Sequence, residues 1–145
     1  MNKMALKDVD LRNKTVLVRA DFNVPQDENL NITDDTRIRA TLPTIKFILQ
    51  NNARKIILMS HLGRPSGEVV AKYSLKPVAL RLAELLGVPV KFLNDCAPGF
   101  IGEAGARSCA VGDSIKKEID TAKEKIILLE NLRFHPEEEA NDAGF

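Results

Sequence analysis

Apolar residues along this chain occur in short runs that are separated by longer stretches with helical spacing. The short runs lie within Thr15–Arg19, Ile56–Met59, Val88–Leu93 and Lys125–Glu130, and each predicts a β-strand. The third run carries Pro89 near its start, where no ladder hydrogen bond is lost. Runs that are apolar on both faces are typical of a parallel sheet covered by helices.

Between the strands, apolar residues recur at intervals of three and four, which predicts three amphipathic helices. The first covers 37–51 and contains Pro43, so the helix either restarts or kinks there. The second has Ser74 as its N-cap and Gly87 at the C′ position just after its end, and Asp113–Ser114 opens the third. The apolar faces consist of Ile38, Leu42, Ile45 and Leu49; of Leu75, Val78, Leu82, Leu85 and Leu86; and of Val111, Ile115, Ile119 and Ala122.

The resulting order, β-α-β-α-β-α-β, predicts an α/β fold with an open parallel sheet and helices on both faces. The connections are long enough for right-handed crossovers. We expect one domain, with residues 97–112 mostly in loop. After the acidic run 137–139 the chain ends without a capped element, so we expect it to be cut rather than finished.

Composition narrows the class of protein without naming an activity. The 145 residues are 44% apolar and 28% charged with a net charge of +1, which gives no general attraction to nucleic acid or to a membrane surface. No apolar stretch is long enough to span a bilayer, and no secretory signal is present. Cys96 and Cys109 are expected to be free thiols, and we expect a cytoplasmic protein without a metal site.

Charged and polar side chains follow each predicted strand, at the edge of the sheet where ligands of such folds bind. Arginine matches carboxylate and phosphate oxygens, while an aspartate suits a ligand hydroxyl. The set therefore predicts a site for a small acid that carries phosphate, carboxylate and hydroxyl groups. Its members are Asp21, Asn23, His61, Arg64, Asp95 and Arg133, with Arg37 and Arg39 at the start of the first helix.

Each member of this set also has a purely structural explanation, and the convergence of the set is more specific than any single residue. His61 could be a hydrogen-bonded structural residue, and Asp21 and Asn23 could cap the turn after the first strand. Asp95 could cap the segment after the third strand, which is the favoured role there. Arg19 and Arg39 could form ion pairs, and residues 137–139 are expected to be a solvated helix start.

Several catalytic motifs are absent from the sequence. There is no P-loop, no Gly-x-Gly-x-x-Gly after a strand, and no nucleophile elbow. Chemistry at this edge would rest on positioning and electrostatic stabilisation, as phosphoryl transfer requires.

Five segments carry a close resemblance to the N-terminal part of phosphoglycerate kinases. They are Val18-Arg-Ala-Asp-Phe-Asn-Val-Pro25, Ile32–Arg39 with Leu42-Pro-Thr-Ile45, Ser60-His-Leu-Gly-Arg-Pro65, Tyr73–Val78, and Leu129-Glu-Asn-Leu-Arg-Phe-His135. The resemblance implies a Rossmann-like domain, truncated before its last strands, that binds phosphoglycerate. Residues 1–145 would be this incomplete N-terminal domain, and the C-terminal nucleotide-binding domain would be absent.

In that family the reaction is reversible phosphoryl transfer between 1,3-bisphosphoglycerate and ADP, giving 3-phosphoglycerate and ATP in glycolysis. The resemblance implies that Mg-ATP and Mg-ADP bind to the absent domain, that no cofactor binds here, and that the full-length enzyme is a monomer. The fragment alone is expected to be inactive.

The resemblance also implies roles for individual residues. Arg37 would stabilise charge on the transferring phosphoryl group, which is the catalytic role. Asp21 and Asn23 would hold the hydroxyl and carboxylate region of the substrate. His61, Arg64 and Arg133 would hold the non-transferring phosphate, with the backbone of Leu62 and Gly63 nearby.

One segment departs from the family pattern, and two rival interpretations stay open. Ala97–Cys109 is longer than the usual link of the family, which is consistent with a tolerated surface insertion. One rival is a non-catalytic binding domain for another small phosphorylated acid. The other is an incomplete sheet that misfolds or exchanges strands through an exposed edge.

Overall fold

A computed structural model describes residues 4–94 and 113–143 of the chain. Within these residues the strands are β1 (Thr15–Arg19), β2 (Lys55–Met59), β3 (Val90–Leu93) and β4 (Ile126–Leu129), and the α-helices are α1 (Thr36–Gln50), α2 (Lys76–Leu86), α3 (Asp113–Thr121) and α4 (Pro136–Ala140). Three 3-10 turns lie at Leu6–Asp8, Ala71–Tyr73 and Leu132–Phe134.

The four strands form one parallel sheet in the order β1-β2-β4-β3. Leu17 of β1 is opposite Ile57 of β2, which lies beside Ile127 of β4. The predicted α/β class with a parallel sheet is therefore confirmed, and all four strands end at the same edge.

The order of the strands determines which face each helix covers. The chain moves in one direction from β1 to β2 to β3 and then steps back to β4, so right-handed crossovers put α1 and α2 on one face and α3 on the other. The core agrees with this, because Ile56 and Leu58 pack with residues of α1 and α2, while Ile57 and Ile127 pack with Ile119 of α3.

Alternate side chains of the central strands thus enter two separate cores. The larger core contains Ile38, Ile45 and Ile48 of α1, Val78, Ala79 and Leu82 of α2, and Ile56, Leu58, Ile126 and Leu128 of the sheet. Complete burial of an aliphatic side chain contributes about 1.5–3 kcal/mol, so this layer holds the strand ends in register.

Several predicted boundaries were wrong by a few residues. Helix α1 is one continuous element with Pro43 at its eighth position, so the helix does not restart there. Pro43 has no N–H to donate to the Arg39 carbonyl, so α1 contains one fewer backbone hydrogen bond at that point. Strand β3 begins at Val90 rather than at Val88, which leaves Pro89 outside the ladder. Gly87 ends α2 with a left-handed φ of 68°, as predicted.

Ser74 is not the N-cap of α2, which is Leu75 without a side-chain cap. The Ser74 hydroxyl nevertheless accepts from the Lys76 N–H, the first of α2, at 3.2 Å, and it donates to the buried Glu130 at 2.8 Å. A carboxylate from the end of β4 thus takes part in closing the start of α2.

On the edge strand β1, Leu17 is 59% exposed among residues 4–94 and 113–143. Asp95, Cys96, Cys109 and the predicted loop 97–112 lie outside the described residues. No described helix is long and apolar enough to cross a membrane.

Candidate functional site

The buried Ser60 joins three strand ends where β2 stops. Its hydroxyl accepts a hydrogen bond from the Phe22 N–H at 2.9 Å, and its carbonyl accepts one from the Leu132 N–H at 3.0 Å. Ser60 is 0% exposed, so both bonds are protected from water. The segments after β1 and β4 are thereby fixed against the loop after β2.

That loop, residues 61–65, is held by side chains from its two neighbours. Asn23 Oδ1 accepts from the Gly63 N–H at 2.9 Å, and Arg133 Nη1 donates to the Gly63 carbonyl at 3.1 Å. Both polar groups of one peptide segment are thus paired with residues that were predicted for the same site.

Gly63 is required at its position for two reasons. Its φ of +62° lies in the left-handed region, which a residue with a side chain adopts at a cost. A Cβ atom there would also collide with the Tyr73 ring. The loop backbone therefore passes so close to the Tyr73 ring that only a residue without a Cβ atom fits at position 63.

The side chain of Asn131, just after β4, makes hydrogen bonds to three segments around the site. Its side-chain amide donates to the Leu62 carbonyl at 2.7 Å and to the Tyr73 carbonyl at 2.9 Å, while its Oδ1 accepts from the Arg133 N–H at 3.0 Å. Asn131 is 0% exposed. One buried side chain thus connects the loop after β2, the start of α2 and the turn that carries Arg133.

Asp21 and Arg37 form an ion pair at the mouth of the site. Asp21 also accepts from the Asn23 N–H at 3.0 Å. Partial burial opposes ionisation of Asp21, but the Asn23 N–H and the Arg37 guanidinium outweigh it and hold its pKa below the usual value. The carboxylate is therefore ionised at neutral pH and available to accept from a hydroxyl.

His61 lies half-buried beside this pair. Burial and the nearby Arg133 lower the pKa of His61, and Asp21 and Glu138 act in the opposite direction. Its imidazole is thus mostly neutral at pH 7 in the ligand-free chain. Arg64 is exposed, and its side chain makes no hydrogen bond or ion pair within residues 4–94 and 113–143.

The acidic run at 137–139 was predicted to be a solvated helix start. The run does lie at the start of α4, and Glu139 is exposed, but the prediction was wrong for Glu138. Glu138 is only 12% exposed along its side chain, and its Oε1 accepts from Arg19 Nη2 at 2.7 Å. Its Oε2 lies 3.9 Å from Arg133 Nε, and Glu139 Oε1 lies 3.6 Å from the same nitrogen. The short helix α4 therefore turns carboxylates toward the predicted phosphate-binding residues.

These residues at the sheet edge, which we call the strand-end cluster, comprise Arg19, Asp21, Arg37, His61, Arg64, Arg133 and Glu138. Beside it is a cleft of about 260 Å³ that Asn23, Leu62, Gly63, Lys72 and Tyr73 help to line. The Lys72 ammonium lies 4.7 Å from the centre of the Tyr73 ring and adds positive charge at the rim.

Arg39 was predicted near the same edge, and the structure places it elsewhere. It pairs with Asp35 at 2.7 Å, and Asp35 pairs with Arg81, which also contacts Glu84. We call these four residues the Asp35 cluster. They line a larger cleft of about 530 Å³, in which both guanidiniums, those of Arg39 and Arg81, are already matched by carboxylates.

The strand-end cluster has the chemistry of an anion site with one hydroxyl acceptor. Guanidinium and imidazole groups are able to bind phosphate oxygens, and a carboxylate such as that of Asp21 is able to accept from a hydroxyl. Within the described residues, no group of three or more His, Cys, Asp or Glu side chains is arranged to hold a metal ion.

Comparison with known proteins shows which family the chain belongs to. The family model for phosphoglycerate kinase matches residues 6–145. The chain belongs to the phosphoglycerate kinase family. It is 52% identical to phosphoglycerate kinase 1 of Rhizopus niveus over 97% of this chain and 30% of that protein. It is 50% identical to phosphoglycerate kinase of Pelodictyon phaeoclathratiforme (strain DSM 5477 / BU-1) over 100% of this chain and 33% of that protein.

Solved phosphoglycerate kinases also share the fold. The structure from Pyrococcus horikoshii OT3 matches 94% of this chain and 29% of its own, with a TM-score of 0.72 and 30% identity. The structure from Coxiella burnetii matches 91% of this chain and 28% of its own, with a TM-score of 0.66 and 35% identity. The predicted resemblance is confirmed, and the chain spans about a third of the length of the relatives it matches.

Four residues of the site were not predicted, namely Ser60, Glu130, Asn131 and Glu138. Ser60, Glu130 and Asn131 are polar residues at the ends of apolar strands, a position that is buried and therefore requires hydrogen-bond partners. That signal was present in the sequence. No local pattern indicates that Glu138 faces Arg19, because the two are 119 positions apart.

Proposed function

We propose that this chain is the phosphoglycerate-binding N-terminal domain of a phosphoglycerate kinase and is incomplete as a domain. The full-length enzyme would transfer a phosphoryl group reversibly between 1,3-bisphosphoglycerate and ADP. The observation that carries the proposal is the convergence of Asn23, Arg133 and the 61–65 loop at one sheet edge in a member of this family.

The ligand contacts are assigned by chemistry. Arg64, Arg133 and His61 bind the non-transferring phosphate, assisted by the backbone of Leu62 and Gly63. Asp21 and Asn23 hold the hydroxyl and carboxylate region. Arg37, which already neutralises Asp21 at the mouth of the site, stabilises charge on the transferring phosphoryl group.

Nucleotide binding belongs, in this proposal, to the part of the family's chain that is not included here. Mg-ATP and Mg-ADP are the partners there, and the relatives are about three times longer than this chain. Residues 1–145 alone are then inactive. A coupled assay with ATP and 3-phosphoglycerate should give no turnover above a purification blank, and turnover above the blank would contradict this part.

The binding proposal is tested on the full 145-residue chain by NMR and calorimetric titration at low salt. We expect saturable binding of 3-phosphoglycerate, with backbone shifts at Asn23, His61 and Gly63. The controls are glycerate, which lacks the phosphate group, and inorganic phosphate, which lacks the carboxylate and hydroxyl groups of glycerate. Equal affinity for 3-phosphoglycerate and inorganic phosphate would contradict the proposal and favour a general anion site.

A further inference from the structure

The carboxylate of Glu138 lies between two arginines of the strand-end cluster. Oε1 contacts Arg19 Nη2 at 2.7 Å, and Oε2 lies 3.9 Å from Arg133 Nε. Each oxygen of one carboxylate thus faces a different guanidinium. A phosphate or carboxylate of a ligand would use the same two donors.

The contact between Glu138 and Arg133 is not a complete hydrogen-bonded ion pair. Arg133 Nη1 is committed to the Gly63 carbonyl at 3.1 Å, which fixes the guanidinium. Its Nε is buried and makes no hydrogen bond in the described part of the chain. This donor is oriented and shielded from water, yet it is only approached by carboxylates at 3.6 and 3.9 Å.

Glu138 also lies within electrostatic range of His61. The carboxylate opposes the loss of basicity that burial and Arg133 impose on that imidazole. Glu138 therefore interacts with Arg19, with Arg133 and with His61, which is the environment that a bound phosphate requires. Its side chain is 12% exposed, so its position is set by these contacts rather than by solvent.

We infer that Glu138 is an affinity-determining residue that occupies the anion position between Arg19 and Arg133 until a ligand displaces it. The inference rests on the proposed phosphoglycerate-binding role of this sheet edge. A ligand with two negative charges replaces one carboxylate with a stronger partner, whereas a singly charged carboxylate gains little by the exchange.

The Glu138→Gln substitution tests this, because it keeps the shape of the side chain and removes its charge. We expect inorganic phosphate to bind about two- to fivefold more tightly to the variant at low salt, the size expected for a partly exposed ion pair. Acetate, a monoanion, should gain at least as much. Unchanged or weaker phosphate binding would overturn the inference and make Glu138 a residue that orients the arginines.

Glu84→Gln is the matched control, because Glu84 also pairs with an arginine at 2.7 Å but belongs to the Asp35 cluster. Glu84→Gln makes the same change in net charge but lies outside the strand-end cluster. It should therefore leave phosphate binding unchanged. An equal gain in both variants would show a general charge effect and would contradict a specific role for Glu138.

A measurement on the unmodified chain avoids any dependence on folding of the variant. The side-chain carboxyl carbon of Glu138 should shift in step with phosphate saturation, as the ion pair with Arg19 opens. A Glu138 signal that does not move while the Gly63 amide does would overturn the inference.

Failure of the proposed function has a different outcome. If phosphate binds more tightly to Glu138→Gln but 3-phosphoglycerate binds no better than phosphate, the role of Glu138 holds and the assignment of substrate fails. If 3-phosphoglycerate is preferred but the substitution changes nothing, the substrate assignment holds and the role of Glu138 fails.

Discussion

The strand-end cluster and the Asp35 cluster are both built from arginines and carboxylates, and they start from neighbouring residues of one helix. Arg37 and Arg39 are two positions apart on α1, which turns their side chains about 200° apart. Arg37 meets Asp21 at the sheet edge, while Arg39 meets Asp35 on another face. Their different partners follow from helix geometry, since both residues are exposed arginines.

The two clusters also differ in how completely their charges are matched. Asp35 accepts from Arg39 at 2.7 Å and from Arg81 at 2.9 Å, and Arg81 has a second carboxylate in Glu84. In the strand-end cluster Arg64 has no such partner among the described residues, and one donor of Arg133 is unsatisfied. A structural ion-pair network saturates its charges, whereas a ligand site keeps some of them available.

Replacement of Arg133 should have the largest effect on ligand binding. Arg133→Ala removes a charged donor and the bond to the Gly63 carbonyl, so we expect affinity for 3-phosphoglycerate to fall about 10- to 100-fold. Calorimetry measures this. Arg81→Ala removes an equally charged residue from the Asp35 cluster and should leave affinity unchanged, and a similar loss there would erase the distinction between the clusters.

Asn131 should have the largest effect on stability among the residues that position the site. Asn131→Ala leaves the buried Leu62 carbonyl and the partly buried Tyr73 carbonyl without their donor, so we expect a loss of about 2–3 kcal/mol in the free energy of unfolding. Urea denaturation measures this. The exposed Asn29 is the control, because its substitution by Ala should change little. A neutral Asn131→Ala would contradict a buried organising role.

The titration of His61 distinguishes the ligand-free cluster from the occupied one. Its pKa should lie below the ordinary 6.5 because burial and Arg133 disfavour the imidazolium, and a bound phosphate should raise it. Since the folded-state pKa is lowered, the stability that His61 contributes is present above pH 6.5 and decreases as the pH falls below it.

Proton NMR of the two histidines, His61 and His135, gives the midpoints directly. The Asp35→Asn substitution, in the other cluster, should leave the His61 midpoint unchanged. A midpoint that phosphoglycerate does not raise would place the phosphate away from His61.

The smallest expected effects are the changes in the pKa values of Asp21 and Asp35 when their arginine partners are removed. Arg37→Ala should raise the pKa of Asp21, because burial already opposes ionisation there and one of the groups that outweighs it is lost. Arg39→Ala should raise the pKa of Asp35, whose ionised form is stabilised first by Arg39 and then by Arg81. Carbon NMR titration of the carboxyls measures both.

Each substitution should leave the other carboxylate unaffected. Both aspartates have lowered pKa values in the folded chain, so their contribution to stability is present above pH 3.8 and decreases as the pH falls through the folded value. A shift of Asp35 on removal of Arg37 would show that the clusters are coupled.

Much of the fold followed from local patterns. The strands at residues 56–59 and 126–129 were evident because strands buried on both faces must be apolar throughout. The strand at 15–19 was evident from its β-branched and apolar residues, and the helices were evident from their spacing. The boundaries were less accurate where local signals were ambiguous, as with the apolar Val88, which lies outside β3. Ser74 likewise lies one residue before the N-cap Leu75, although its hydroxyl accepts from the Lys76 N–H.

The sequence by itself determined the class of fold, the family, and the presence of arginine, histidine and aspartate at the strand ends. Each of these depends on residue types within a short segment or on motif identity, so it needs no knowledge of distant contacts. The parallel sheet then brings the segments together, because the carboxyl ends of parallel strands share one edge.

Only the tertiary structure decided which arginines keep a free charge and which are neutralised. Arg19 is paired with Glu138 from the far end of the chain, and Arg39 with Asp35, although both were equally plausible ligand residues. The partner of a long charged side chain depends on packing between elements that are remote in sequence. That packing also brings the Asn131 side chain to the Leu62 carbonyl and places Glu138 beside Arg133.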